Sequence, residues 1–141
     1  MTSLGKYSFG MGDRFAHQAE AQLTAIFKAR SKGVFITPVW NKSYREHTTI
    51  GSISQDTRTA VDGAIKNLKW DSAYFTDADH INASNVDFFL DSCDFYTIDV
   101  ADYIGQACDA NLQNEFIQQN GKYLGELDIQ GIDAQVVITQ E

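Results

Sequence analysis

Four short apolar runs, separated by stretches of helical periodicity, constrain this chain more than any other feature. The runs are "YSFGMG" (Tyr7–Gly12), "GVFITPVW" (Gly33–Trp40), "SAYFTDA" (Ser72–Ala78) and "FYTIDVA" (Phe95–Ala101). Their length and their β-branched and aromatic content fit buried strands. Between the first two, Ala16, Ala19, Leu23, Ile26 and Phe27 recur at helical spacing, with Gln18, Glu20, Gln22 and Lys28 at other positions. Gly33 sits where that helix should stop. Ala60, Val61, Ala64, Ile65 and Leu68 mark a second helix with Asp56 near its start. A third, short helix is expected where Ser84 and Asp87 have capping-box spacing ahead of Phe88, Phe89 and Leu90. The order β-α-β-α-β-α-β is that of parallel strands joined by helical crossovers.

Beyond Gly105 the texture changes. Residues 106–141 are more polar, with helical character over Ala107–Gln119 and strand character over Ala134–Thr139. We therefore divide the chain into a four-stranded α/β part, 1–105, and a helical and extended continuation, 106–141, which is either a lid or part of the scaffold.

A parallel four-strand pattern suits an open doubly wound sheet or part of a (β/α)8 barrel. A dinucleotide-binding sheet would carry a glycine-rich turn after its first strand. "GMGDRF" supplies Gly10 and Gly12 but has Phe15 at the third glycine position, which rejects that reading. A complete barrel takes about 250 residues, so 141 residues hold roughly half of one. The net charge of −8 argues against a phosphate-backbone binder, and no nucleic-acid partner is expected. No segment is apolar enough for a signal peptide or a bilayer span, which points to a cytoplasmic protein with no membrane partner. Cys93 and Cys108 make no disulfide framework and read as buried small apolar residues.

In parallel α/β folds the loops after the strands converge on one face, and chemistry gathers there. The residues following these strands are strongly polar: Asp13 and Arg14; Asn41, Lys42, Arg45, Glu46 and His47; Asp77, Asp79 and His80; Asp99 and Asp102. The opposite ends offer only Gly33, Ser72 and Asp94. Asp13 serves equally well as a helix cap or a site residue. Arg14, Lys42 and Arg45 read as solvated charges unless they cluster, in which case they could receive a carboxylate by bidentate pairing. His47 reads as a loop residue, and His17 as packing or surface. Asp77 and Asp79 should share one side of a strand, where two like charges compete unless a cation or hydrogen bonds compensate. His80 would point the other way unless a turn swings it inward. A metal on His80 with Asp79 as a nearby base is one resolution, although a single histidine is not a metal site.

The segments "GMGDRFAHQAEAQL", "ITPVWNKSYREHTTIGS", "YFTDADHIN" and "DSCDFYTIDVADYIG" resemble the amino-terminal part of the tagaturonate epimerase family, from about Tyr7 to Gly105 and more loosely through "YLGELDIQGID". The resemblance implies a metal-dependent sugar-acid epimerase on a (β/α)8 barrel, interconverting D-tagaturonate and D-fructuronate in hexuronate catabolism. It makes Asp79 the proton acceptor, His80 a ligand of a divalent metal cation, and Asn41, Lys42, Arg45 and Asp102 contacts to a hexuronate. The inverted carbon is β to the ketone, so loss of an α proton cannot invert it, whereas reversible retro-aldol cleavage can. Family members are longer, so the chain is expected to be an amino-terminal fragment, inactive alone, with further ligands and the general acid elsewhere. Two other readings compete: a non-catalytic α/β module binding a small anion, and a half-barrel that self-associates through unpaired sheet edges.

Overall fold

Each apolar run contributes a strand, but hydrogen-bond pairing rather than hydrophobicity sets where the strands end. The computed structural model describes residues 4–129, 131 and 133–139. In chain order the first unit, which extends to Ala101, contains β1 (Ser8–Gly12), α1 (Ala19–Ser31), β2 (Thr37–Ser43), α2 (Tyr44–Ile50), α3 (Ser54–Leu68), β3 (Phe75–Ile81), a 3-10 turn (Val86–Phe88) and β4 (Phe95–Ile98). The four strands form one parallel sheet in the order β1-β2-β3-β4. No crossover steps back, so these strands contain no switch point of the doubly wound kind.

β2 runs past Trp40 because Asn41, Lys42 and Ser43 pair with Asp77, Ala78 and Asp79 of β3. The polar residues expected to follow the strands thus lie partly within them. Strand alternation then separates neighbours. Met11 and Trp40 face the helices and join Leu23 and Ile26 of α1 with Val61 and Ala64 of α3 in the principal core. Trp40 is almost fully buried, and its indole N–H donates to Gln22 Oε1 at 2.9 Å. Gly10, Gly12, Asn41 and Asp77 lie on the other face, where a Cβ on Gly10 would meet the Asn41 amide nitrogen at 3.5 Å.

Two helical expectations need correction. Residues 44–50 form a helix rather than a loop, closed by a capping box: Glu46 N–H donates to Ser43 Oγ, and Ser43 N–H donates to Glu46 Oε2 at 3.1 Å. The expected third helix is only the turn Val86–Phe88, and Ser84 does not cap it. Ser84 donates both its N–H and its hydroxyl to Asn82 Oδ1, a local turn that competes with helix initiation.

The second unit begins at Asp102, before the expected boundary at Gly105. It contains α4 (Ala110–Gln119) and an antiparallel pair of β5 (Gly125–Leu127) and β6 (Val136–Ile138). Asp109 caps α4 by accepting from the N–H groups of Asn111 and Leu112. Among the described residues no helix is long and apolar enough to cross a membrane.

Candidate functional site

The end of β3 departs from regular alternation. Ala78 pairs with Tyr96 and Ile81 with Ile98, so Asp79 and His80 together oppose Thr97 alone. This extra residue is a β-bulge, a device that re-aims a side chain. His80 occupies the left-handed region at φ 55°, an uncommon conformation for a residue with a Cβ. Within the strand, and not after it, the imidazole is swung between two carboxylates. Its Nε2 lies 3.6 Å from Asp79 Oδ1 and its Nδ1 lies 3.5 Å from Asp99 Oδ2. The ring is largely open to solvent, while Asp79 is mostly enclosed.

Asp77 lies behind this cluster. It is buried and accepts the Thr97 hydroxyl, at 2.8 Å to Oδ2 and 3.0 Å to Oδ1. Burial raises its pKa above the usual carboxylate value; the bonds from Thr97 oppose this, and the nearby Asp79 charge adds to it.

The three cations that would have gained a site role by clustering go separate ways. Arg14 Nε donates to Glu46 Oε1 at 2.9 Å. Lys42, one residue from Asn41, faces the helices and is nearly fully buried, its Nζ donating to Ser52 Oγ at 2.9 Å. Burial lowers its pKa, although Glu46, Asp13 and Asp56 push the other way. Arg45 has no ion pair and its guanidinium no hydrogen bond among the described residues. It lines a cavity of about 360 Å³ together with Ser43, His80, Asn82, Asn85 and Asp99. Asn41 lies beside Asp77 on the sheet face opposite α1 and α3, and Asp102 belongs to the second unit. Within the first unit, Asn41 and Lys42 thus point to opposite faces of the sheet.

Other residues prove to be structural. Asp13 holds the β1–α1 turn by accepting from the N–H groups of Phe15 and Gln18. His47 is buried in α2, not in a loop. Its Nδ1 lies 2.9 Å from Ser52 Oγ and its ring packs against Phe88 and Phe89. Burial, reinforced by the Lys42 charge, lowers its pKa to about 4. Cys93 is only partly buried and Cys108 is exposed, so neither matches the expectation of a buried apolar residue.

Imidazole nitrogen and carboxylate oxygen are suitable donors for a divalent cation. Their number is short: among the described residues no three His, Cys, Asp or Glu side chains converge as a metal site. Asp99 was named only among the polar residues following the strands, and Asn82 and Asn85 were not singled out. The signal for the asparagines was "INASN", two asparagines three apart directly after a strand.

The family model described as "UxaE: tagaturonate epimerase" matches residues 1–133. The chain belongs to the tagaturonate epimerase family. Its fold is also similar to solved fructuronate-tagaturonate epimerases UxaE from Cohnella laeviribosi. The native structure matches with a TM-score of 0.65 at 18% identity, covering 99% of this chain and 30% of that one. A complex with one glycerol matches with a TM-score of 0.64 at 19% identity, covering 95% and 29%. At such identities the likeness concerns the fold. This epimerase-family chain spans about 30% of the length of those solved structures. No curated protein matches it.

Proposed function

We propose that this chain carries part of the active site of an enzyme interconverting D-tagaturonate and D-fructuronate, with its four parallel strands forming about half of a (β/α)8 barrel. The observation that carries the reading is the bulged end of β3, which presents Asp79 and His80 side by side within the family-matched segment. The consecutive strand order favours the barrel over an open doubly wound sheet. The remaining β-α units come from the rest of a longer epimerase, and the chain alone is inactive.

In this reading Asp79 takes the proton of the hydroxyl on the carbon to be inverted. The bond between that carbon and the one next to the ketone breaks, leaving an aldehyde and an enediolate. The aldehyde turns its other face, the bond re-forms, and Asp79 returns the proton. His80 would be one ligand of a divalent cation whose other ligands lie outside the described residues, and the bound cation would supply Lewis-acid stabilisation at the ketone oxygen. Asp99, on the other side of the imidazole, orients the ring. Burial raises the pKa of the neighbouring Asp77, which favours its neutral form and lessens like-charge repulsion on Asp79.

The test is conversion of D-tagaturonate in heavy water by this chain supplied with the rest of an epimerase and a divalent metal. Fructuronate should form without deuterium at the inverted carbon, because retro-aldol cleavage leaves that C–H bond intact. No conversion would refute the epimerase reading. Deuterium at the inverted carbon would refute the cleavage step alone.

A further inference from the structure

The cavity after β2 and β3 is lined by hydrogen-bond donors without a protein partner among the described residues. Asn85 Oδ1 accepts the Asn82 backbone N–H at 2.9 Å, and Asn82 Oδ1 accepts the N–H and hydroxyl of Ser84. A backbone N–H can only donate, so these bonds fix both amide orientations: oxygen toward the turn, nitrogen away from it. Neither side-chain NH2 has a partner among the described residues. The Arg45 guanidinium is likewise unpaired and lines the same cavity. Of the cations near the strand ends, Arg14 is held by Glu46 and Lys42 is buried on the opposite face, which leaves Arg45 without a partner among the described residues.

Three unpartnered donor groups around a cavity of about 360 Å³ call for a ligand that mainly accepts hydrogen bonds and carries negative charge. A carboxylate meets both conditions, whereas a neutral sugar end supplies no charge for the guanidinium. Asp99 forms another part of the wall, beside His80 Nδ1, and repels an anion toward the arginine and asparagine side. His80 lines the cavity too, so a ligand anchored there extends to the imidazole and to Asp79 beyond it.

We propose that Arg45, Asn82 and Asn85 form the subsite for the carboxylate of the sugar acid, with Arg45 selecting uronates over uncharged ketoses. This rests on the epimerase reading for the identity of the ligand but not for the existence of an anion site. The subsite orients the substrate by its charged end, so that the polyol portion reaches the bulge at Asp79 and His80. Arg45 is in this account a specificity-determining residue, separate from proton transfer.

The test is NMR titration of this chain with D-tagaturonate, D-tagatose (a hydroxymethyl group in place of the carboxylate) and glycolate, repeated on Arg45→Gln and Arg45→Lys. Tagaturonate and glycolate should shift the amides of residues 82–85. Arg45→Gln should weaken both by about tenfold or more, as expected for a charge-assisted pair, and Arg45→Lys should recover part of the loss. Tagatose should be insensitive to Arg45. Equal tagaturonate binding by Arg45→Gln overturns the subsite and leaves the epimerase reading intact. Arg45-dependent glycolate binding without tagaturonate binding keeps the anion site and overturns the sugar-acid assignment. Failure of both anions to bind overturns the subsite itself.

Discussion

At the residue scale, His80 concentrates the conflict between stability and function. Its left-handed φ of 55° would suit glycine or asparagine, yet an imidazole is placed there between two carboxylates. Left-handed backbone costs an ordinary L residue about 1–2 kcal/mol, and residues held this way cluster at functional sites. His80→Val should therefore be less stable than His80→Gly by at least about 1 kcal/mol, because a β-branched side chain tolerates this region worst. Chemical denaturation of the two variants checks this, and equal stabilities would mean that the bulge relaxes. The pairing of Asp79 with His80 was legible in "TDADH". The bulge that brings them together was not, because an extra residue in one strand is defined by its partner strand.

At the element scale, α2 is anchored by a buried polar network that reaches across the first unit. Lys42 of β2 donates to Ser52, Ser52 meets His47 of α2, and His47 packs on Phe88 and Phe89 after β3. With Lys42 donating, the Ser52 hydroxyl is free to donate to Nδ1, which requires a neutral His47. The folded pKa of about 4 lies below the unfolded value of 6.5. The unfolded chain thus takes up the proton first as pH falls. The contribution of His47 is fully present above pH 6.5 and is lost progressively down to pH 4. A shift of that size corresponds to roughly 3 kcal/mol. Denaturant midpoints should fall across that window, and His47→Gln should flatten the fall; an unchanged slope would assign it to other groups. The helix itself escaped the sequence reading because Tyr44–Ile50 lacks an apolar stripe. The visible signal was the box Ser43-x-x-Glu46, masked by treating Asn41 onward as the loop after a strand. Once β2 is known to reach Ser43, alternation alone places Asn41 and Lys42 on opposite faces, with Lys42 Nζ donating to Ser52.

At the scale of the whole molecule, the sheet is built one-sidedly. α1 and α3 cover the face carrying Met11 and Trp40, whereas Asn41 and Asp77 lie on the opposite face of the sheet, which neither of these helices covers. Neither β1 nor β4 has a second strand partner among the described residues, and Phe9 and Ile98 on these strands are exposed. Such a sheet leaves edges that favour further strand pairing, either with the rest of a longer chain or with a second copy. Strand count, strand direction and the existence of α1 and α3 were legible because apolar runs and helical periodicity report burial directly. The separation of Lys42 from Arg45 was not legible, because it depends on which face each strand residue takes. The unpaired donors after β3 were not legible either, since they arise from hydrogen bonds between side chains and local backbone.

The central claim is that the end of β3 is a proton-transferring epimerase site. Its most direct test is the rate of D-tagaturonate to D-fructuronate conversion by Asp79→Asn, measured with divalent metal and the rest of an epimerase supplied. The account predicts a loss of about 10²–10⁴-fold, the usual worth of a positioned general base, with folding unchanged by circular dichroism. Conversion by Asp79→Asn within a few-fold of the unsubstituted chain would contradict it.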